Sequence, residues 1–103
     1  MKPSWLACLI LAACVSNLAW ADDAALARAK NCMSCHSVDH KIVGPAFKDV
    51  AAKYAGQKGV EDKLVQKVLH GGGGVWGTVP MPPNTQVTEA EAHTLVKWVL
   101  SLK

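Results

Sequence analysis

The chain has little charge imbalance, few cysteines outside its first residues and no apolar run long enough to span a bilayer. Its 103 residues hold 11 Lys+Arg against 8 Asp+Glu, a formal net charge of +3. So small an excess provides no basic stripe for a phosphate backbone, and nothing points to nucleic acid. The longest apolar run, Trp5–Val15, has 11 residues, well short of the roughly 20 that a spanning helix needs. No internal repeat is present, and no low-complexity tract beyond Gly71–Gly74. Of the four cysteines, Cys8 and Cys14 fall within the apolar run, which leaves Cys32 and Cys35 for the remainder. One small domain is the expectation for this length.

The N-terminus reads as an export signal. Lys2 supplies the positive start, Trp5–Val15 the apolar centre, and Ala19 and Ala21 the small residues that signal peptidase inspects, with Asp22 and Asp23 following. The expected cut lies after Ala21, making 1–21 a cleaved signal peptide and 22–103 the working domain. Losing Lys2 lowers the formal charge to +2. A competing cut exists at "LAAC", Leu11–Cys14, which resembles a lipoprotein box and would leave Cys14 lipidated. A domain this small usually needs a disulfide, a metal or another staple. After the cut no second cysteine pair remains, whereas a large apolar cofactor would serve.

Four helices and one long loop are legible. Asp23–Lys30 is Ala-rich and runs into the cysteine pair. A second helix is expected from Pro45, which suits a first helical turn. Phe47, Val50, Ala51 and Tyr54 recur at helical spacing, and Gly56 is a stop. A third covers "VEDKLVQKVLH", with Glu61 and Asp62 in its first turn, Lys67 and His70 in its last, and Gly71 beyond its end. Leu64, Val65, Val68 and Leu69 form its apolar stripe. The fourth opens on a capping box, Thr88 and Glu91, and presents Ala92, Leu95, Val96, Val99 and Leu102 on one face, widened by Trp98. Gly71–Gln86 shows neither helical nor strand periodicity. An irregular loop this long in a small domain is usually functional.

Chemistry therefore belongs to that loop and to "CMSCH", Cys32–His36. A redox disulfide of this spacing sits at a strand-to-helix junction, and no strand is evident near Lys30. A zinc site needs four ligands; His70 and His93 form no pair, and His40 with Cys32, Cys35 and His36 would be cramped. Covalent haem attachment explains the whole motif: two thiols one turn apart add to the two vinyl groups, and the adjacent His36 donates a ring nitrogen to iron. The sixth position then needs a ligand. Met81 lies in "VPMPPN", where Pro80, Pro82 and Pro83 make a stiff extended strut. Met33 lies inside the cysteine turn and cannot reach the opposite face, and Met1 leaves with the signal. An iron filled on both sides, with a soft sulfur favouring Fe(II), is an electron carrier rather than an enzyme. The alternative is a haem enzyme or gas sensor whose sixth ligand is displaceable.

The cysteine motif, "VGPAFKDVAAKYAG", "GVWGTVPMPPN" and the closing "EAHTLVKWVLS" occur in an order that resembles the class I c-type cytochromes of the small bacterial c-551/c-552 group. That resemblance implies an all-α cytochrome c fold, four helices wrapped round one covalently attached haem c, with the first and last helices crossing. It implies iron ligation by His36 and Met81. It also implies that the Pro45 carbonyl accepts from His36, that Asn84 hydrogen-bonds near the Met81 sulfur, and that Trp76 donates to a haem propionate. Taken alone, Pro45 also fits a helix start, Asn84 a turn and Trp76 plain packing. Asn31 stands where the family often has glycine, and asparagine tolerates a left-handed backbone. The implied role is a monomeric periplasmic carrier. Its implied donor is a quinol–cytochrome c oxidoreductase, and its acceptor a nitrite reductase, an oxidase or a cytochrome c peroxidase. His40, His70 and His93 read as surface residues. Lys30, Lys41, Lys48 and Lys67 read as a solvated surface, with some ringing the haem edge.

Overall fold

The computed structural model describes the backbone from Val15 and the side chains from Asp22 to Lys103; the apolar run of the expected signal up to Cys14 lies outside the described residues. Four helices follow one another: α1 Val15–Ala29, α2 Phe47–Tyr54, α3 Val60–His70 and α4 Glu89–Ser101, with a short 3-10 turn at Cys32–Ser34. No strand occurs among the described residues, only two isolated bridges, His36–Lys41 and Gly72–Met81. The expected all-α architecture is the observed one. The expected cut after Ala21 falls within α1, eight residues before its end.

α4 is the hub. It packs against α1, α2 and α3 alike. Ala92, Leu95, Val96 and Trp98 are its buried positions, and with Ala27, Phe47, Val65 and Val87 they form the core. Trp98 meets Phe47 edge-on, ring centroids 5.6 Å apart at 77°, the geometry aromatic quadrupoles favour. The start of α4 is fixed as its sequence predicts. Thr88 Oγ1 accepts from the Glu91 N–H at 3.1 Å, and a Glu91 carboxylate oxygen accepts from the Thr88 N–H at 3.0 Å. That reciprocal bond holds the Glu91 carboxyl below its ordinary range, with Lys30 adding to the effect.

α2 departs from expectation at its start. Pro45 precedes the helix, and Ala46 is the N-cap, with φ −59° and ψ 140°. The reason is where the first amides go. Phe47 N–H donates to Ser37 O at 2.9 Å and Lys48 N–H to Val38 O at 3.1 Å. Free N–H groups of a helix start need outside acceptors. Here the residues just after His36 supply them, so α2 is docked end-on against the cysteine segment. A second feature concerns α3. Val65 is fully buried, but Leu64, Val68 and Leu69 are only partly so. Leu64 and Val68 pack against the edge of the core and also line a cleft.

Candidate haem site and family

The cleft has room of about 540 Å³, within the range of pockets that take a cofactor. Cys32, Cys35 and His36 line one part of it, Trp76, Met81 and Asn84 another, and Leu64, Val68, Leu95 and Val99 supply apolar wall. All seven residues singled out in the sequence, Pro45 included, converge on this one space.

Local backbone chemistry sets the cysteine segment. Asn31 adopts φ 66° and ψ 17°, a left-handed conformation that lets the chain turn sharply out of α1. The 3-10 turn then closes with Cys35 N–H and His36 N–H both donating to Cys32 O, at 3.3 and 3.0 Å. Both cysteines are free and half-buried. Burial pushes the Cys32 thiol above its ordinary value, against a smaller opposing backbone hydrogen bond.

His36 is held on several sides. Its Nδ1 lies 2.8 Å from Pro45 O. A carbonyl only accepts, so Nδ1 carries the proton, and the neutral ring keeps its lone pair on Nε2, the atom free for a metal. The ring stacks on Phe47 at 4.7 Å and 22°. Gly44 presses on it too: a Cβ there would stand 2.5 Å from Cε1 and 2.9 Å from Nδ1. Sequence reasoning gave Gly44 no role. Its signal was only its place before Pro45.

The methionine strut is pinned at its base. Gly72 N–H donates to Met81 O at 3.0 Å, and Met81 N–H to Gly72 O at 2.7 Å. Gly71 makes this approach possible, with φ 75° and a missing Cβ that would meet Met81 O at 2.5 Å. Asn84 donates through both its backbone N–H and its Nδ2 to Val68 O, each at 3.0 Å. Its Nδ2 also reaches Pro82 O at 3.4 Å. The amide thus satisfies a carbonyl near the end of α3. Trp76 is 40 % exposed at the cleft mouth, and Lys53 Nζ stands 5.5 Å from the centre of its ring. Of the basic residues, Lys41 and Lys67 line the cleft. Lys48 pairs with Asp39 at 2.6 Å and lowers that carboxyl's pKa, first by a hydrogen bond and then by its charge. His93 is not a free surface residue: Nδ1 lies 3.1 Å from a Glu61 oxygen, joining α4 to α3.

The donor set suits haem. Two thiols stand one tight turn apart, an imidazole offers an unprotonated nitrogen, and a thioether and apolar walls share the same cleft. A helical shell built round such a cleft is that of a class I c-type cytochrome. The Cytochrome c family model matches residues 21–103, and the chain belongs to that family. Within it, the chain falls in the c-551/c-552 group. It is 51% identical to cytochrome c-551 of Pseudomonas aeruginosa over 105 aligned residues covering the whole of both chains. It is 47% identical to cytochrome c-552 of Nitrosomonas europaea over 104, again covering both fully. The crystal structure of Nitrosomonas europaea cytochrome c552 superposes with a TM-score of 0.76 at 50% identity, over 78% of this chain and 99% of that one. The protein is thus a small electron-transfer cytochrome whose cofactor is covalently attached haem c. No described helix is long and apolar enough to cross a membrane.

Proposed function

We propose that residues 22–103, freed of a signal peptide at Ala21, act as a periplasmic carrier of single electrons. In this reading Cys32 and Cys35 bind haem c as thioethers, and His36 and Met81 fill the two axial positions. The haem supplies one-electron exchange between Fe(III) and Fe(II). The protein's own residues orient and shield it. Pro45 fixes the His36 ring and leaves Nε2 for the iron. The Gly72–Met81 bridge and the flanking prolines hold the thioether. Trp76 marks the propionate side, and Asn84 steadies the strut through the end of α3.

The observation that carries this reading is the His36–Pro45 bond of 2.8 Å in a cleft that Met81 also lines. The start of the family match at residue 21 supports the cut. The partner surface in this reading is the cleft mouth, where Val43, Val75, Trp76 and Val79 are exposed. Redox encounters use small, transient contacts of this kind. A quinol–cytochrome c oxidoreductase as donor, and a nitrite reductase, oxidase or cytochrome c peroxidase as acceptor, fit the role.

The test is an absorption spectrum of the oxidised protein made in a host that attaches haem. The weak near-infrared band of a methionine–iron(III) bond is expected in the wild type and absent in Met81→Ala. A wild type with covalent haem but without that band would overturn the proposed ligation.

A further inference from the structure

The Met81 loop is fixed to α3 by the Gly72–Met81 bridge and by the two Asn84 bonds to Val68 O. None of these reaches the segment that carries the cysteines and His36. The link between the two halves of the site lies at Lys30 and Gln86. Lys30 Nζ donates to Gln86 O at 3.2 Å, and Gln86 Nε2 donates back to Lys30 O at 2.8 Å. Among the described residues, these two bonds are the only direct hydrogen bonds between residues 30–36 and residues 71–86. The pair is elaborated at both ends. Gln86 Nε2 also donates to Asn84 Oδ1 at 3.2 Å, and Lys30 Nζ lies 3.3 Å from a Glu91 oxygen at the capped start of α4.

We infer that the Lys30–Gln86 pair is a positioning device for Met81, setting the distance between the cysteine segment and the strut independently of α3. This rests on the proposed ligation by His36 and Met81. Pro82 and Pro83 have fixed φ, so the short run from Met81 to Asn84 transmits a displacement instead of absorbing it. Gln86 also holds the oxygen end of the Asn84 amide. That orients its Nδ2 toward Val68 O, and the strut is thereby tied to both walls of the cleft. Removing the Gln86 donor leaves the Lys30 Nζ bond to Gln86 O as the one direct tie between the loop and the cysteine segment, and frees the Asn84 amide oxygen. A thioether on ferric iron then competes less well with another ligand.

The test uses the haem-loaded ferric protein at fixed pH, titrated with imidazole while the methionine–iron(III) band is followed. Gln86→Met keeps the side-chain length and removes both donors. Loss of about one net hydrogen bond corresponds to roughly two- to tenfold tighter imidazole binding, and Lys30→Met is expected to move the same way. Gln57→Met, which removes an exposed bond to Lys53 O on α2, is expected to leave the affinity unchanged. Guanidinium unfolding is measured in parallel. A lowered midpoint in Gln86→Met with wild-type imidazole affinity would mean a merely structural tie and overturn the inference. A wild type lacking the band fails earlier and differently: it overturns the ligation, and this inference with it.

Discussion

Gly44 gives the sharpest test of how the site is built. A methyl group added there would stand 2.5 Å from His36 Cε1, where carbon atoms settle at roughly 3.5–4.0 Å. Something must therefore move by about 1 Å. The backbone is poorly placed to yield, because Gly44 N–H donates to Cys35 O at 2.8 Å and Gly44 O accepts from Ile42 N–H at 3.2 Å. The ring must yield instead. A shift of that size stretches the 2.8 Å bond to Pro45 O past any useful hydrogen-bond length. It also slides the imidazole off Phe47, which it stacks on at 4.7 Å. Overpacking costs about 1–3 kcal/mol and the lost bond about 1 kcal/mol. Gly44→Ala is thus expected to be destabilised by about 2–4 kcal/mol. Guanidinium unfolding of the haem-loaded protein measures this directly. The imidazole resonances report in parallel whether the Nδ1 proton has lost its partner. A variant with wild-type stability and an unmoved Nδ1 proton would refute the claim that Gly44 is a wall of the histidine slot.

Other outcomes follow from the same geometry. Gly71→Ala puts a side chain at φ 75°, 2.5 Å from Met81 O; about 1–3 kcal/mol of stability should be lost, with weakening of the methionine–iron(III) band. Thr88→Ala removes the hydroxyl of the α4 capping box; the expected loss is about 1 kcal/mol, a fall in Tm of roughly 4–8 °C for a domain of this size. The pH dependence has a definite sign. The Glu91 carboxyl is held below its ordinary pKa, chiefly by the Thr88 N–H. Its stabilisation is therefore complete above the ordinary carboxylate pKa and disappears as pH falls through the lowered, folded-state value. Acid titration of stability should show a component that Glu91→Gln lacks.

The sequence disclosed what is local and left hidden what is assembled. The capping box, the left-handed turn at Asn31 and the positive φ at Gly71 depend on neighbours a few residues away, and each was legible. So was the cysteine motif, whose chemistry fits within one turn. The late start of α2 was not legible, because the carbonyls of Ser37 and Val38 that receive its first amides arrive through the fold. Leu64 and Val68 repeat with the period of a core stripe and also line the cleft; periodicity finds an apolar face but not what lies against it. Gly44 against His36, and Gln86 against Lys30, are likewise contacts between segments. Neither residue type advertises such a role.

The placement of α4 has a consequence for how the molecule is made. The helix that touches each of the other three and carries four of the eight described core residues follows all of them in the chain. Chains emerge N-terminus first, so the core stays open until α4 has emerged. For the export proposed above, that ordering would act as a built-in delay, with the cysteine turn emerging before the core can close.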